Sequence, residues 1–166
     1  MPKIILTRGI QGSGKSTWAK KWVEEAPEHR VRWNNDDFRR MLGKYWVPQR
    51  EGMVATMKEM FFKEAMLREY DIVVDNMNLN PKEEAYFRAI IDKFNSSNLL
   101  DYTYELEFKD FLDITPEECI ERDAKREGSN RIGKDVIMET YNRYKDRINE
   151  LKHDNNSNKW FTWYFA

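Results

Sequence analysis

GIQGSGKST, residues 9–17, is the stretch of this sequence that predicts its fold. It satisfies the phosphate-loop pattern G-x-x-x-x-G-K-[ST], in which a strand leads into the loop and a helix follows it. Residues 3–7 are apolar and partly β-branched, which indicates a buried strand, and residues 18–25 have the pattern of a helix. The loop therefore stands between the two elements that its mechanism requires. A glycine turn with an incidental lysine is the alternative.

The residue types in this loop fit the binding of a nucleoside triphosphate. Glycines at positions 9, 12 and 14 let the backbone curl round a phosphate chain with its N–H groups pointing inward. Lys15 adds a positive charge for the β- and γ-phosphates, and the hydroxyl of Ser16 can ligate Mg²⁺. The residues expected to bind ATP in this loop are Gly12, Ser13, Gly14, Lys15, Ser16 and Thr17.

Size and composition indicate one globular domain. A chain of 166 residues is long enough for one substantial core and too short for two ordinary domains. Hydrophobic residues make up 40% and charged residues 34%, and no apolar run approaches the roughly 20 residues that cross a bilayer. The first residues lack a signal-peptide pattern, and the single cysteine, Cys119, excludes an internal disulfide. We therefore expect a single domain over residues 1–166, no membrane association and a cytoplasmic location.

Charge is unevenly distributed along the chain. The formal net charge is −1, yet residues 1–58 contain 12 lysines and arginines against 6 aspartates and glutamates. That gives this part a balance of +6 and leaves −7 for residues 59–166. A basic part around the phosphate loop favours phosphate binding, because association responds to local potential more than to total charge. A solvated charged face is the other explanation.

Hydrophobic periodicity predicts strands and helices in alternation along the rest of the chain. Further strands are predicted at residues 31–33, 71–75, 102–108 and 159–165. Further helices are predicted at residues 38–42, 51–69, 81–94, 115–128 and 137–151. Within the helix at 51–69, residues recur at helical spacing at Met53, Met57, Met60 and Phe61, and this methionine stripe favours core packing over a binding surface.

This order of elements predicts an α/β fold with a parallel central sheet and helices on both faces. Alternation of polar and apolar residues over 102–108 indicates a strand near the sheet edge. Ligands of such sheets bind at the carboxyl ends of the strands, where residues 9–17, 34–37 and 75–80 all fall.

Asp36 and Arg39 are candidates for contact with a phosphoryl acceptor. Asp36 follows a strand that we expect to lie next to the phosphate-loop strand, so its carboxylate could accept the proton of an attacking hydroxyl. Capping of the following helix by Asp36 or Asp37 is the alternative. Arg39 lies three residues after Asp36, close to one helical turn, so both can face the same acceptor, whereas Arg40 points elsewhere. A solvated surface arginine is the alternative for either residue.

Asp75 ends an apolar strand, which is the usual place for the second carboxylate of a phosphate-loop enzyme. In that position a carboxylate holds Mg²⁺ directly or through water. A bond to the neighbouring backbone turn is the alternative role.

Arg122 and Arg126 are four residues apart on the predicted helix at 115–128 and would share one face of it. Together with the glycines that bound the next connection, they predict a lid over about residues 116–134. Such a lid would close arginines over the triphosphate and exclude water. Solvated arginines that pair with glutamates of the same helix are the alternative.

In combination, these motifs resemble the kinase domain of bacteriophage polynucleotide 5′-kinases, within the P-loop kinase superfamily. Beside the phosphate loop, the resemblance is carried by NDDFR (35–39), EGMV (51–54), DNMNLNP (75–81) and KR (125–126). It covers about residues 1–150. The phosphate loop alone is unspecific, whereas its combination with Asp-Asp-aromatic-Arg and Asn-x-Asn-Pro is much more specific.

The resemblance implies a three-layer P-loop kinase fold with a helical lid, in a single polynucleotide kinase domain. It implies transfer of the γ-phosphate of ATP to the 5′-hydroxyl end of single-stranded or terminal DNA or RNA, with Mg²⁺, as in end healing for nucleic-acid repair. Host cytoplasm would be the location if the chain is phage-encoded. The implied roles are catalysis by Lys15, Asp36 and Arg126, acceptor binding by Asp36 and Arg39, ATP binding by Arg122 and Arg126, and metal binding by Ser16 and Asp75.

The sequence departs from the family pattern in two places. It lacks the Asp-x-Asp-Gly-Thr motif of the 3′-phosphatase domain that often follows, so we expect kinase activity alone. The connection at 42–51 is shorter than in the family, which leaves the preferred end structure open. Within it, Tyr45 or Trp46 could stack on a terminal base or pack into the core.

Two other functions fit the same sequence. One is a small-molecule P-loop kinase that acts on a nucleoside, sugar or similar hydroxyl acceptor. The other is a nucleotide-binding regulator without transferase activity. The sequence leaves the choice between DNA and RNA, the oligomeric state and any phosphatase or ligase partner open.

Overall fold

The computed structural model describes the backbone of residues 1–165 and the side chains of residues 1–157. The strands are β1 (Lys3–Arg8), β2 (Arg30–Trp33), β3 (Asp71–Val74) and β4 (Glu105–Asp110). The α-helices are α1 (Lys15–Glu24), α2 (Asn35–Met41), α3 (Glu51–Leu67), α4 (Pro81–Ser97), α5 (Pro116–Asp123) and α6 (Lys134–Phe165). Short 3₁₀ turns cover Pro48–Arg50 and Gly128–Asn130. The predicted α/β class is confirmed.

The four strands form one parallel sheet in the order β2-β3-β1-β4. β4 lies at one edge, as its alternating sequence predicts. β3, and not β2, lies next to β1, so the expectation that Asp36 follows the strand beside the phosphate loop is wrong. Burial explains the order, because Ile72, Val73 and Val74 of β3 are fully buried, whereas the arginine-bearing β2 suits the other edge.

Helices cover both faces of this sheet, as predicted. Successive residues of a strand point to opposite faces. On one face, Ile4 and Leu6 of β1 pack in a cluster with Phe62 of α3 and Phe87 of α4. On the other face, a smaller cluster joins strand residues with α1, and it contains Ile5, Val73, Ala19, Trp18, Trp22 and Val23.

The chain divides into two compact units. The first contains Met1–Arg8 and Gly14–Asp110, and hence the whole sheet with α1 to α4. The second contains Gly9–Ser13 and the chain from Phe111 onward, with α5 and α6. α5 begins in a capping box: the Thr115 hydroxyl accepts a hydrogen bond from the Glu118 N–H, while the Glu118 carboxylate accepts one from the Thr115 N–H. Cys119 of α5 is fully buried.

Two expectations about helices are wrong. Met53, Met57 and Met60 of α3 are exposed, because the core face of this helix is formed by Phe62 and Met66, with Phe61 partly buried beside them. The predicted strand at 159–165 is instead helical, since α6 continues to Phe165. The polar stretch before it contains no glycine or proline that would end a helix.

Among the helices of the described residues, none combines the length and the apolar character needed to span a membrane.

Candidate active site

The phosphate loop adopts a conformation that depends on glycine. Gly12 and Gly14 have φ angles of 80° and 101°, in the left-handed region that side chains disfavour. At Gly12 a Cβ atom would also lie 2.7 Å from the carbonyl oxygen of Cys119. Gly14 precedes α1, where no side-chain hydrogen bond caps the helix, so this N-terminus suits an anion. Lys15 is buried, Ser16 is partly exposed and Thr17 is exposed.

Asp75 lies just beyond β3 and its side chain is fully buried, with 0% exposure. One oxygen, Oδ2, accepts hydrogen bonds from Arg32 Nε at 2.8 Å and Arg32 Nη2 at 2.6 Å. The other oxygen, Oδ1, has no hydrogen-bond partner among the described residues. A buried carboxylate oxygen without a donor fits Mg²⁺ or one of its waters. The neighbouring backbone turn is bonded by the main chain of Asp75 and not by its carboxylate. The Asp75 carbonyl oxygen accepts a hydrogen bond from the Asn34 side-chain amide.

Asparagine side chains of the segment after β3 bond to the end of β1, to the end of β3 and to the start of α2. The Asn78 amide donates to the carbonyls of Thr7 at 2.7 Å and Val74 at 2.9 Å, from a residue with a φ of 49°. The Asn76 amide oxygen accepts from the Asn35 N–H at 3.0 Å. The start of α2 is thus held beside the end of β3. Sequence reasoning placed this segment at the site but assigned these side chains no role.

Asp36 belongs to a cluster with Arg39, Tyr45 and Glu51. Its Oδ1 accepts hydrogen bonds from Arg39 Nη1 at 2.7 Å and from the Tyr45 hydroxyl at 2.9 Å. Arg39 also forms a forked pair with Glu51, with Nε–Oε2 at 3.1 Å and Nη2–Oε1 at 2.6 Å. This hydrogen bonding lowers the pKa of Glu51 and, together with the charge of Asp36, raises the pKa of Arg39. Asp36 and Arg39 do face the same side of α2, as the sequence predicts.

Helix capping does not occupy Asp36. The cap of α2 is Asn34, whose side-chain oxygen accepts from the Asp37 N–H at 2.8 Å. The Asp37 carboxylate pairs with Arg32 at 2.7 Å and with Arg40 at 3.0 Å, so the charge of Arg40 is paired with Asp37 and not with Asp36. Burial opposes ionisation of Asp37, but the hydrogen bond and charge of Arg32 outweigh it and lower its pKa.

In the second unit, Arg122 lies next to the phosphate loop and Arg126 lies beyond the helix. Arg122 Nη1 is 3.5 Å from the carbonyl oxygen of Gly12. α5 ends at Asp123, so the expectation that Arg122 and Arg126 share a helix face is wrong. The reason is the buried Asp123 carboxylate, which accepts from the N–H groups of Ile132 and Gly133, both at 2.8 Å. This bonding folds the chain back, and Arg126 Nη1 lies 3.9 Å from Asp123.

A metal site built from protein side chains alone is absent from the described residues, because no three His, Cys, Asp or Glu side chains converge. Ser16 and Asp75 remain the predicted metal ligands. With only two protein ligands, the ion would depend on phosphate oxygens and water for the rest of its coordination, which is the usual arrangement for Mg²⁺.

The parallel sheet, the glycine-dependent loop and the uncapped α1 define a P-loop nucleotide-binding protein with a kinase-like α/β fold. Residues 4–151 match the model of the family described as the AAA domain, and the chain belongs to that family. The expected relationship to P-loop proteins is thereby confirmed.

Two solved structures show the same fold. One is a chain of the Pnkp1/Rnl/Hen1 RNA repair complex, with a TM-score of 0.69 and 24% sequence identity over 92% of this chain. The other, from a structure of the Pnkp1/Rnl/Hen1 complex, has a TM-score of 0.54 and 27% identity over 73% of this chain. This chain spans less than half of either match, covering 46% and 38% of their lengths.

Proposed function

We propose that this chain is a polynucleotide kinase domain that transfers the γ-phosphate of ATP to the 5′-hydroxyl end of a nucleic acid. The observation that carries the proposal is the Asp36 cluster, in which a half-exposed carboxylate is held by donors on one oxygen only. RNA is the favoured acceptor, because the fold matches a chain of an RNA repair complex. DNA is the other acceptor to be tested.

In the proposed reaction, the acceptor 5′-oxygen attacks the γ-phosphorus of ATP. Its O–H bond breaks as Asp36 takes the proton, the new O–P bond forms, and the bond between the γ-phosphorus and the β,γ-bridging oxygen breaks to release ADP. Little covalent help from the protein is needed beyond alignment of the hydroxyl and neutralisation of charge.

The remaining residues would hold ATP and stabilise its charge. The loop backbone from Gly12 to Thr17 and the ammonium group of Lys15 would bind the phosphates. Arg122 and Arg126, in a lid over about residues 116–134, would add positive charge at the transferring group. Ser16 and Asp75 would hold Mg²⁺, which supplies charge neutralisation when bound.

Arg39 is proposed to bind the 3′-phosphate of the acceptor's first nucleotide. Its guanidinium is the forked donor that matches a phosphate. In the structure this fork contacts the Glu51 carboxylate, so an acceptor phosphate would take the place of that carboxylate or share the donors. The same pairing favours the second candidate, a small-molecule kinase, because Arg39 needs no substrate phosphate to be satisfied.

The test is transfer of radiolabel from γ-labelled ATP to matched 5′-hydroxyl RNA and DNA oligonucleotides. We expect labelled 5′ ends, with RNA preferred, and no transfer to 5′-phosphorylated controls. Arg39→Ala should raise KM for an oligonucleotide and leave KM for ATP unchanged. Absence of labelled product from both oligonucleotides would refute the proposal, and unchanged kinetics of Arg39→Ala would favour a small-molecule acceptor.

A further inference from the structure

The two oxygens of the Asp36 carboxylate have different surroundings. Oδ1 receives both described donors, Arg39 Nη1 at 2.7 Å and the Tyr45 hydroxyl at 2.9 Å. None of the described hydrogen bonds reaches Oδ2, and the side chain as a whole is 41% exposed. The carboxylate is therefore held through one oxygen while the other faces no protein donor.

Tyr45 is positioned by a short closed loop. Gly43, with a φ of 107°, turns the chain out of α2. Arg50 Nη1 donates to the carbonyl of Leu42 at 2.7 Å and so joins the two ends of the loop. The ring of Tyr45 lies 5.2 Å from the Arg40 guanidinium, which holds the aromatic group in place.

These contacts direct the proton of the Tyr45 hydroxyl toward the Asp36 carboxylate. Burial raises the pKa of Tyr45, and the charge and hydrogen bond of Asp36 raise it further. The hydroxyl therefore remains protonated at neutral pH and donates to the carboxylate. An engaged hydroxyl and an engaged ring also argue against Tyr45 as the surface on which a terminal base stacks.

We propose that Tyr45 is a positioning residue that, with Arg39, fixes Asp36 through Oδ1 and makes Oδ2 the oxygen that accepts the acceptor's proton. This inference rests on the proposed function, because it assigns a role within the same phosphoryl transfer. The proton passes from the 5′-hydroxyl to Oδ2 as the new O–P bond forms, and the donors on Oδ1 stay in place throughout.

The consequence is a specific kinetic signature. A carboxylate that loses one of two donors on Oδ1 samples more orientations, and fewer of them present Oδ2 to the hydroxyl. Because Tyr45 contacts neither substrate in this assignment, its hydroxyl should affect turnover and not binding. A hydrogen bond to a charged group is strong enough for the loss to reach about 10- to 100-fold in kcat.

The experiment compares the wild-type protein with Tyr45→Phe, which keeps the ring and its contact with Arg40. We expect kcat to fall about 10- to 100-fold, with KM for ATP and KM for oligonucleotide unchanged and the protein still folded at the assay temperature. Tyr86→Phe is the matched control, because that ring lies on α4 against Lys58 and Phe87, and it should leave kcat and both KM values unchanged. In an Asp36→Asn background, Tyr45→Phe should cause no further loss, since the two residues act as one unit.

The possible outcomes distinguish failure of the positioning role of Tyr45 from failure of the proposed kinase function. An inactive wild-type protein would overturn the proposed function and the role of Tyr45 with it. An active wild-type protein with equally active Tyr45→Phe would overturn the positioning role alone. A higher KM for the oligonucleotide at unchanged kcat would make Tyr45 an acceptor-binding residue and also overturn it, as would full additivity with Asp36→Asn.

Discussion

Two aspartate–arginine pairs at the carboxyl end of the sheet have opposite environments. Asp75 is fully buried and receives both donors from Arg32, whereas the Asp36 side chain is 41% exposed and shares Arg39 with Glu51. A buried charge must be paired or it costs several kcal/mol, while an exposed one can change partners cheaply. The comparison indicates that the Asp75–Arg32 pair is a fixed part of the fold, whereas the Asp36–Arg39 pair can rearrange, as the proposed function requires.

The largest effect on activity is expected from a substitution in the exposed Asp36–Arg39 pair. Asp36→Asn keeps the shape of the side chain and removes the proposed general base, so kcat should fall by about 100- to 10,000-fold. ATP affinity, measured by titration calorimetry, should stay unchanged, because no step of ATP binding needs this carboxylate. If Asp36→Asn retains the wild-type kcat, the Asp36–Arg39 pair has no catalytic role that distinguishes it from the Asp75–Arg32 pair.

In the buried pair, the effect should appear as lost stability. Arg32→Met leaves the Asp75 carboxylate buried without its donors and should lower the free energy of unfolding by about 3–5 kcal/mol. Chemical denaturation measures this change, and Arg88→Met, in an exposed pair with Glu84 on α4, is the control with little expected loss. The double variant Arg32→Met with Asp75→Asn should regain part of the stability, since the unpaired charge is then gone.

Trp46 provides a smaller test beside the exposed pair. It is 52% exposed and its ring lies 5.6 Å from the Arg39 guanidinium. If the acceptor's terminal base stacks there, Trp46→Ala should raise KM for the oligonucleotide by the equivalent of about 1–3 kcal/mol. An acceptor with an abasic 5′ end should bind both proteins equally. If Trp46→Ala leaves KM unchanged for acceptors that carry a 5′-terminal base, Trp46 does not belong to the acceptor site.

The smallest effect should come from protonation of Glu51. Its pKa is lowered in the folded protein by the Arg39 hydrogen bond, so the pair stabilises the fold above the ordinary glutamate pKa. That contribution is lost as the pH falls through the lowered pKa. Wild-type protein should lose about 1 kcal/mol more than Glu51→Gln on acidification, as followed by thermal unfolding. Parallel pH curves for the two proteins would show that the pair contributes nothing.

Local patterns predicted the strand, loop and helix of the phosphate site, because each depends on neighbouring residues. Glycine requirements, the apolar run of β3 and the cap at Thr115 are all visible within a few positions. The order of the strands was predicted wrongly at β2 and β3, since it depends on burial across the whole sheet. The faces of α3 were also misassigned, because Phe62 and its neighbours compete with the methionines for the core.

The sequence nominates the candidate residues of the site but does not show the contacts among them. Spacing brings Arg39 to Asp36, yet no sequence pattern shows that Asn34 is the cap that leaves Asp36 uncommitted to the helix. The Tyr45 contact depends on the closure of a loop, and the end of α5 depends on a carboxylate that bonds ten residues ahead at Gly133. Such tertiary hydrogen bonds are specified by the fold and not by local propensity.

Close contact between Gly12 and the Cys119 carbonyl has a consequence for engineering this protein. Position 12 and the backbone of α5 meet with no room for even a methyl group. Substitutions that shift α5 toward the loop would therefore collide with the main chain that is proposed to enclose the phosphates. Attempts to alter nucleotide choice through α5 should begin with its outward-facing residues, where changes need not transmit a displacement to position 12.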